Sequence, residues 1–196
     1  MKYALSRRRF APDRDRRRSA LDLEERKAAI RASLETETPI LQLRGYATVF
    51  ERVASIPHYG RLEYAASAFA ADLCVPLVID HNMRSKVSPS NRVAISRDPK
   101  GLFMVCDIHA DTAGRATLNA YLLGRKSLSV AAKPITKISR KSRGGNVTRV
   151  LGAQLLEISM VDHGAFQGTE ATLYVLNGRS FEDAVARVRD GATRKE

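Results

Sequence analysis

Three kinds of side chain in this sequence could together carry nucleophilic acyl chemistry: a serine within GRKSLSVAAKP, His81 and Glu157. Ser127 and Ser129 alternate with apolar residues just after Gly124, a helix-stop signal. Period two places both on one face of a predicted strand, together with Ala131. His81 follows the apolar run CVPLVID and keeps phase with Leu77 and Ile79, so it stands at a strand end where it can enter a cleft. Glu157 interrupts the apolar run LLEISMV. Buried there alone it would cost on the order of several kcal/mol, so something polar must meet it. It shares a face with Leu155, Ser159 and Val161 and points away from Leu156, Ile158 and Met160. Each residue alone has a plainer reading: serines on a half-exposed strand, a loop histidine, a glutamate facing an arginine or solvent. As a set they supply a hydroxyl, a base to take its proton and a carboxylate to hold the base. The chain order His, Ser, acid is compatible with this, because such triads recur in several orders.

Other chemistries find less support. His58, His81, His109 and His163 form no i, i+4 pair and sit near no carboxylate cluster, so neither a metal nor a cofactor is expected. Cys74 and Cys106 fall in apolar runs and read as small buried hydrophobes in a reducing compartment. Cys106 has no neighbouring cation to hold it as a thiolate. No apolar run is long enough to span a membrane, and the start, MKYALSRRRF, has arginines where an export signal would be apolar.

The elements that must position these groups can be read from periodicity. Residues 1–38 read as a basic, disordered tail followed by a short helix from about Ser19. TPILQLRGYATVF alternates as a strand, CVPLVID is a second strand, and HNMRSKVSPSN reads as a turn-rich loop. RVAISRD and LFMVCDIHA form a hairpin across Pro99-Lys100-Gly101. DTAGRATLNAYLLGRK is a capped helix that stops at Gly124. SLSVAAK, a basic turn, the long VTRVLGAQLLEISMV and ATLYVL follow as strands. Ser180 caps a last helix, and residues 179–196 form that helix and a tail. The expected fold is α+β, mainly β: a mostly antiparallel, closed or nearly closed barrel of about seven strands, flanked by helices, over residues 39–178.

The net charge of +12 is concentrated in two places. Residues 1–18 carry eight cations against Asp13 and Asp15, a balance of +6. Residues 133–149 carry Lys133, Lys137, Arg140, Lys141, Arg143 and Arg149 with no acid, another +6. Such clusters attract polyanions or acidic protein surfaces, although no aromatic residue between Lys133 and Arg149 offers a base-stacking platform.

The stretches GYATVF, VPLVIDHNM, GRKSLSVAAKP and LLEISMVDHGAF, in this order and at these intervals, resemble the prohead maturation proteases of tailed phages. That family is related in fold to the herpesvirus maturation protease, assemblin. The resemblance runs from about Leu41 to Leu176 and implies an assemblin-like barrel and a serine endopeptidase. It implies His81 as general base, Ser129 as nucleophile and Glu157 as third member, with His163 the alternative for that last place. Ser127 stands where the family's serine motif has its first glycine. Because DHGAFQGT contains no arginine, the backbone N–H groups near Val130 or Gly164 are the candidates for an oxyanion site. The implied substrates are scaffold protein, the scaffolding segment of the major capsid protein, and the enzyme itself. The implied setting is the immature capsid in a bacterial cytoplasm, with self-association a further expectation and no membrane involved. The basic start would contact acidic scaffold or nucleic acid. A non-catalytic basic module on the same fold, binding capsid, scaffold or nucleic acid, is the alternative.

Overall fold

Alternation of apolar and polar residues makes TPILQLRGYATVF a strand whose inward positions, Leu41 and Leu43, are fully buried. This is β1 (Leu41–Val49), the centre of a sheet in the computed structural model, which describes residues 39–57, 59–70, 73–88 and 93–191. The tail and first helix expected over residues 1–38 lie outside the described residues. The remaining strands are β2 (Ala54–Ile56), β3 (Gly60–Tyr64), β4 (Leu77–Ile79), β5 (Asn82–Ser88), β6 (Val93–Arg97), β7 (Gly101–Ile108), β8 (Ser127–Ser142), β9 (Gly145–Val161) and β10 (Ala171–Val175). Two helices accompany them, α1 (Thr112–Leu122) and α2 (Phe181–Gly191). None of the described helices is long and apolar enough to cross a membrane.

The first sheet is antiparallel throughout, in the order β10-β1-β7-β6. The second is organised by β9, whose 17 residues pair along their length with β8. Its other edge takes β3 at Thr148–Val150 and β4 at Ile158–Met160, both parallel. Two short hairpins, β2-β3 and β4-β5, are thereby hung on one long strand. The sheets meet where Ser127 bridges Glu170 and the Leu128 N–H donates to the Thr169 carbonyl. Between them lies a core that includes Leu77, Leu102, Met104, Ile108, Leu128, Ile158 and Met160. The aromatic rings of Phe50, Tyr64, Phe69 and Phe166 pack in series beside it. Burial pushes the Tyr64 hydroxyl up to about 12.

The mainly β character and flanking helices agree with expectation, but the closed or nearly closed barrel of about seven strands does not. The described residues form ten strands in two sheets. Closure would require every strand to have two neighbours. Beyond its first residues β8 pairs with β9 alone among the described residues, and positions 135–141 are exposed. The expected loop after His81 is also corrected, since Asn82–Ser88 is a strand returning along β4. Its run of Met83, Arg84, Ser85 and Lys86 hides the period because only Val87 and Ser88, at its end, are buried. Cys106 is buried as expected, whereas Cys74 is exposed.

An ionic cluster centred on a buried glutamate ties β3 to the β8-β9 ribbon. Glu63 on β3 is fully buried and accepts from Arg140 Nε at 2.7 Å and Arg149 Nη1 at 2.8 Å. Arg149 also binds Glu51. The Arg140 hydrogen bonds hold the Glu63 carboxyl at about 2, well below its ordinary 4.5. A depressed carboxylate stabilises the fold above the unfolded-state value, and that contribution is lost as pH falls from about 4.5 towards about 2. Glu63→Gln should therefore lower stability at pH 7 by about 2 kcal/mol and flatten its loss on acidification, read from denaturant titrations at pH 7 and pH 3.5. An unchanged acid transition would show that the cluster does not govern it.

Candidate active site

The β4-β5 connection is a two-residue turn, because Ile79 pairs directly with Asn82. Its central residues, Asp80 and His81, both have positive φ, 50° and 56°. That is the geometry of the hairpin turn that matches strand twist, and Asp, Asn and His tolerate it better than most residues. His81 is thus placed by a strained turn rather than by continuing the strand phase of Leu77 and Ile79. The turn is pinned at three points. The Asp80 N–H donates to the Met160 carbonyl at 3.1 Å, the His81 N–H donates to Ser159 Oγ at 2.8 Å, and Asp80 accepts from Arg125 Nε at 2.9 Å.

The pinning swings the imidazole over β9, where His81 Nδ1 lies 2.7 Å from Glu157 Oε1. Glu157 is only 2% exposed, and its second oxygen, Oε2, has no hydrogen-bond partner among the described residues. An ionised carboxylate can only accept, so with Glu157 as the carboxylate the shared proton belongs on Nδ1 and the lone pair of neutral His81 on Nε2. The hydrogen bond to Glu157 raises the His81 pKa above its ordinary 6.5, against the opposing effect of partial burial.

Ser129 reaches the same place through strand register. Ser129 pairs with Ser159, and Ala131 with Glu157, so Ser127, Ser129, Ala131, Glu157 and Ser159 all project from one face of the β8-β9 ribbon. A register shift at Leu155/Leu156 sits immediately beside Glu157. It makes Leu156 the unpaired extra residue, which is exposed while its neighbours Leu155 and Glu157 are buried. Ser129 and His81 line one cavity of about 500 Å³, with Leu156, Tyr64, His163 and Phe166 among its other walls. Ser127 is not among its lining residues. Among the described residues no hydrogen bond joins the Ser129 hydroxyl to the imidazole. Catalytic contacts of this kind are commonly long without substrate and tighten with it.

His163 also borders the cavity, but the Nδ1 of His81 is taken by Glu157 and not by His163. The loop carrying His163 packs against the serine strand at Gly164, where a Cβ would collide with the Leu128 carbonyl oxygen and the Thr169 hydroxyl. Sequence reasoning missed Ser159, Arg125 and Asp80 as supports of the histidine. The signal for the turn was present in Ile-Asp-His-Asn, three residues in succession that tolerate left-handed backbone flanking an apolar run.

Among the described residues, His81 is the one side-chain hydrogen-bond partner of Glu157. His81→Ala should leave a buried carboxylate unpaired and lower stability by about 2 kcal/mol, more than Ser129→Ala does, by urea denaturation at pH 7. Equal stability of the two variants would mean that Glu157 finds another partner.

A family model of caudovirus prohead serine proteases matches residues 26–183. No curated protein matches the chain. Solved structures similar to it include a KSHV protease in complex with a hexapeptide phosphonate inhibitor, at 15% identity and a TM-score of 0.40, covering 75% of this chain and 68% of that one. A second KSHV protease structure has 14% identity and a TM-score of 0.38, covering 81% of this chain and 76% of that one.

Proposed function

The chain belongs to the caudovirus prohead serine protease family, and from that premise we propose that Ser129, His81 and Glu157 form the catalytic unit of a maturation endopeptidase. The observation that carries this reading is the His81–Glu157 hydrogen bond at the edge of the cavity that Ser129 lines. His81 Nε2 takes the proton of Ser129 Oγ as that oxygen bonds to the carbonyl carbon of a peptide. The tetrahedral adduct collapses as His81 returns the proton to the leaving nitrogen, so the C–N bond breaks and an acyl-enzyme remains. Water, deprotonated by the same imidazole, attacks the ester and restores the Ser129 hydroxyl. Glu157 holds the ring with Nε2 towards the serine and stabilises the imidazolium that forms in both halves. Backbone N–H groups near Val130 or Gly164 are the candidates for the oxyanion, since Val130 follows Ser129 in the strand and Gly164 packs against the Leu128 carbonyl beside it.

The substrates proposed are scaffold protein or the scaffolding segment of the capsid protein, and the chain itself, inside the immature capsid. The cavity wall favours an apolar side chain beside the scissile bond, being built from Ile56, Leu62, Val130, Leu156 and Phe166. Co-expression with a capsid protein that carries its scaffolding segment tests the substrate. Intact mass should show shortened capsid protein with the wild type and full-length protein with Ser129→Ala. Shortening by both would remove the assignment.

A further inference from the structure

Beyond Ala132, β8 runs on as the outer strand of its sheet, paired with β9 while β3 lines the other side of β9, and this β8-β9 arm closes in the turn at Arg143 and Gly144. At about 3.3 Å per residue its tip stands about 45 Å along the strand from Ser129. One side of the arm is anchored. Arg140 and Arg149 are held by Glu63, and Arg61 Nη1 donates to the Gly145 carbonyl at 3.2 Å near the tip. Those contacts neutralise two of the six cations between Lys133 and Arg149. Lys133, Lys137, Lys141 and Arg143 have no acidic partner among the described residues, and Lys137 and Lys141 share a face by period two. The same stretch exposes Ile135 at 73% and Ile138 at 48%. Ile135 is the extra residue of a second register shift, between Pro134 and Thr136, which turns an apolar side chain outward. Among the described residues no strand pairs with the outer edge of β8 there.

We infer that this arm is a preformed docking site for an acidic protein segment that also carries apolar side chains. Uncompensated cations supply attraction and orientation, the two isoleucines supply apolar contact, and the anchoring by Glu63 and Arg61 reduces the ordering cost of binding. Nucleic acid fits less well. Its phosphates would satisfy the lysines, but the arm has no aromatic residue to stack on bases and its isoleucines would face a charged backbone. Lys133 to Lys141 spans about 25 Å, the length of about eight extended residues. The binding claim stands on the arm alone. Its consequence for cleavage, that a docked segment is fed along the strand bearing Ser129, rests on the reading above.

The test uses the full chain and a fluorescein-labelled peptide of repeating Glu-Glu-Leu, with a single-stranded DNA of equal charge as competitor, followed by anisotropy. Lys133→Glu/Lys137→Glu/Lys141→Glu should weaken peptide binding at least about tenfold. Ile135→Ser/Ile138→Ser should weaken the peptide several-fold and leave DNA binding unchanged. Arg7→Glu/Arg8→Glu/Arg9→Glu, which reverses charge in the other basic cluster, should retain most of the peptide affinity. Circular dichroism confirms that each variant is folded. Peptide affinity unchanged in the lysine variant, or carried by the amino-terminal arginines, overturns the proposal. Tighter binding of DNA than of peptide overturns it in favour of a nucleic-acid site. Because none of these readouts needs peptide-bond cleavage, failure here is distinguishable from failure of the catalytic assignment.

Discussion

Ser129→Ala is expected to lower kcat for peptide-bond hydrolysis by about 10⁴-fold or more, with stability changed by less than about 1 kcal/mol. The size follows from the covalent route. Without Oγ there is no acyl-enzyme, and the residual rate comes from binding and oxyanion stabilisation alone. Stability should hardly move because Ser129 is a single hydroxyl at the cavity wall, and its loss opens no large void. Ser127→Ala provides the contrast. It lies on the same face of β8 two residues away but outside the cavity lining, and its replacement should leave kcat within about threefold. If Ser127→Ala is the inactive variant, the strand presents the other hydroxyl.

The second large effect concerns the carboxylate. Glu157→Gln keeps size and a hydrogen bond to His81 but removes the charge, and should lower kcat by about 10³-fold. It should also move the pH profile. The base must be neutral to accept a proton, and its pKa is raised by Glu157, so wild-type kcat/KM should rise through a midpoint above 6.5. In Glu157→Gln that midpoint should shift to lower pH, because the raising interaction is gone while burial still disfavours the imidazolium. Stability has the opposite sense. A raised folded-state histidine pKa stabilises the protein fully below 6.5 and loses that contribution as pH climbs through the folded value. Glu157→Gln should abolish this segment of the stability profile. An acid limb that stays in place would mean that another group sets it.

The Ser159 hydroxyl, which accepts the His81 N–H, is a positioning group. Ser159→Ala should reduce kcat by about tenfold with KM unchanged, and Ser159→Thr should restore part of it; equal activity of all three proteins would leave the turn held by its other contacts.

What the sequence made legible was local. Alternation in Leu41–Val49, a polar cap at the start of DTAGRATLNAYLLGRK, which is Asp111, the β6-β7 hairpin and Ser180 as a cap all depend on neighbours in the chain, and each stands in the structure. The isolation of Glu157 in an apolar run forced the expectation of a polar partner, and His81 occupies that position. The global pairing was less accessible. Nothing in β9 announces that its two halves accept different parallel partners, because a parallel register is fixed by long-range packing rather than by a turn. The length of β8 was hidden by its exposed, basic outer half, which lacks the apolar alternation that marks a strand. Closure into a barrel followed from counting strands, and the count missed short β2, β3 and polar β5.

The central claim is that Ser129 is activated by a histidine held on Glu157. The most direct measurement is labelling of the purified full chain with a fluorophosphonate probe, with the modified peptide located by mass spectrometry. The account predicts one adduct per chain, on Ser129, sharply reduced by His81→Ala and absent in Ser129→Ala. An adduct on Ser127 or elsewhere, or labelling of Ser129 that is indifferent to His81, would contradict it.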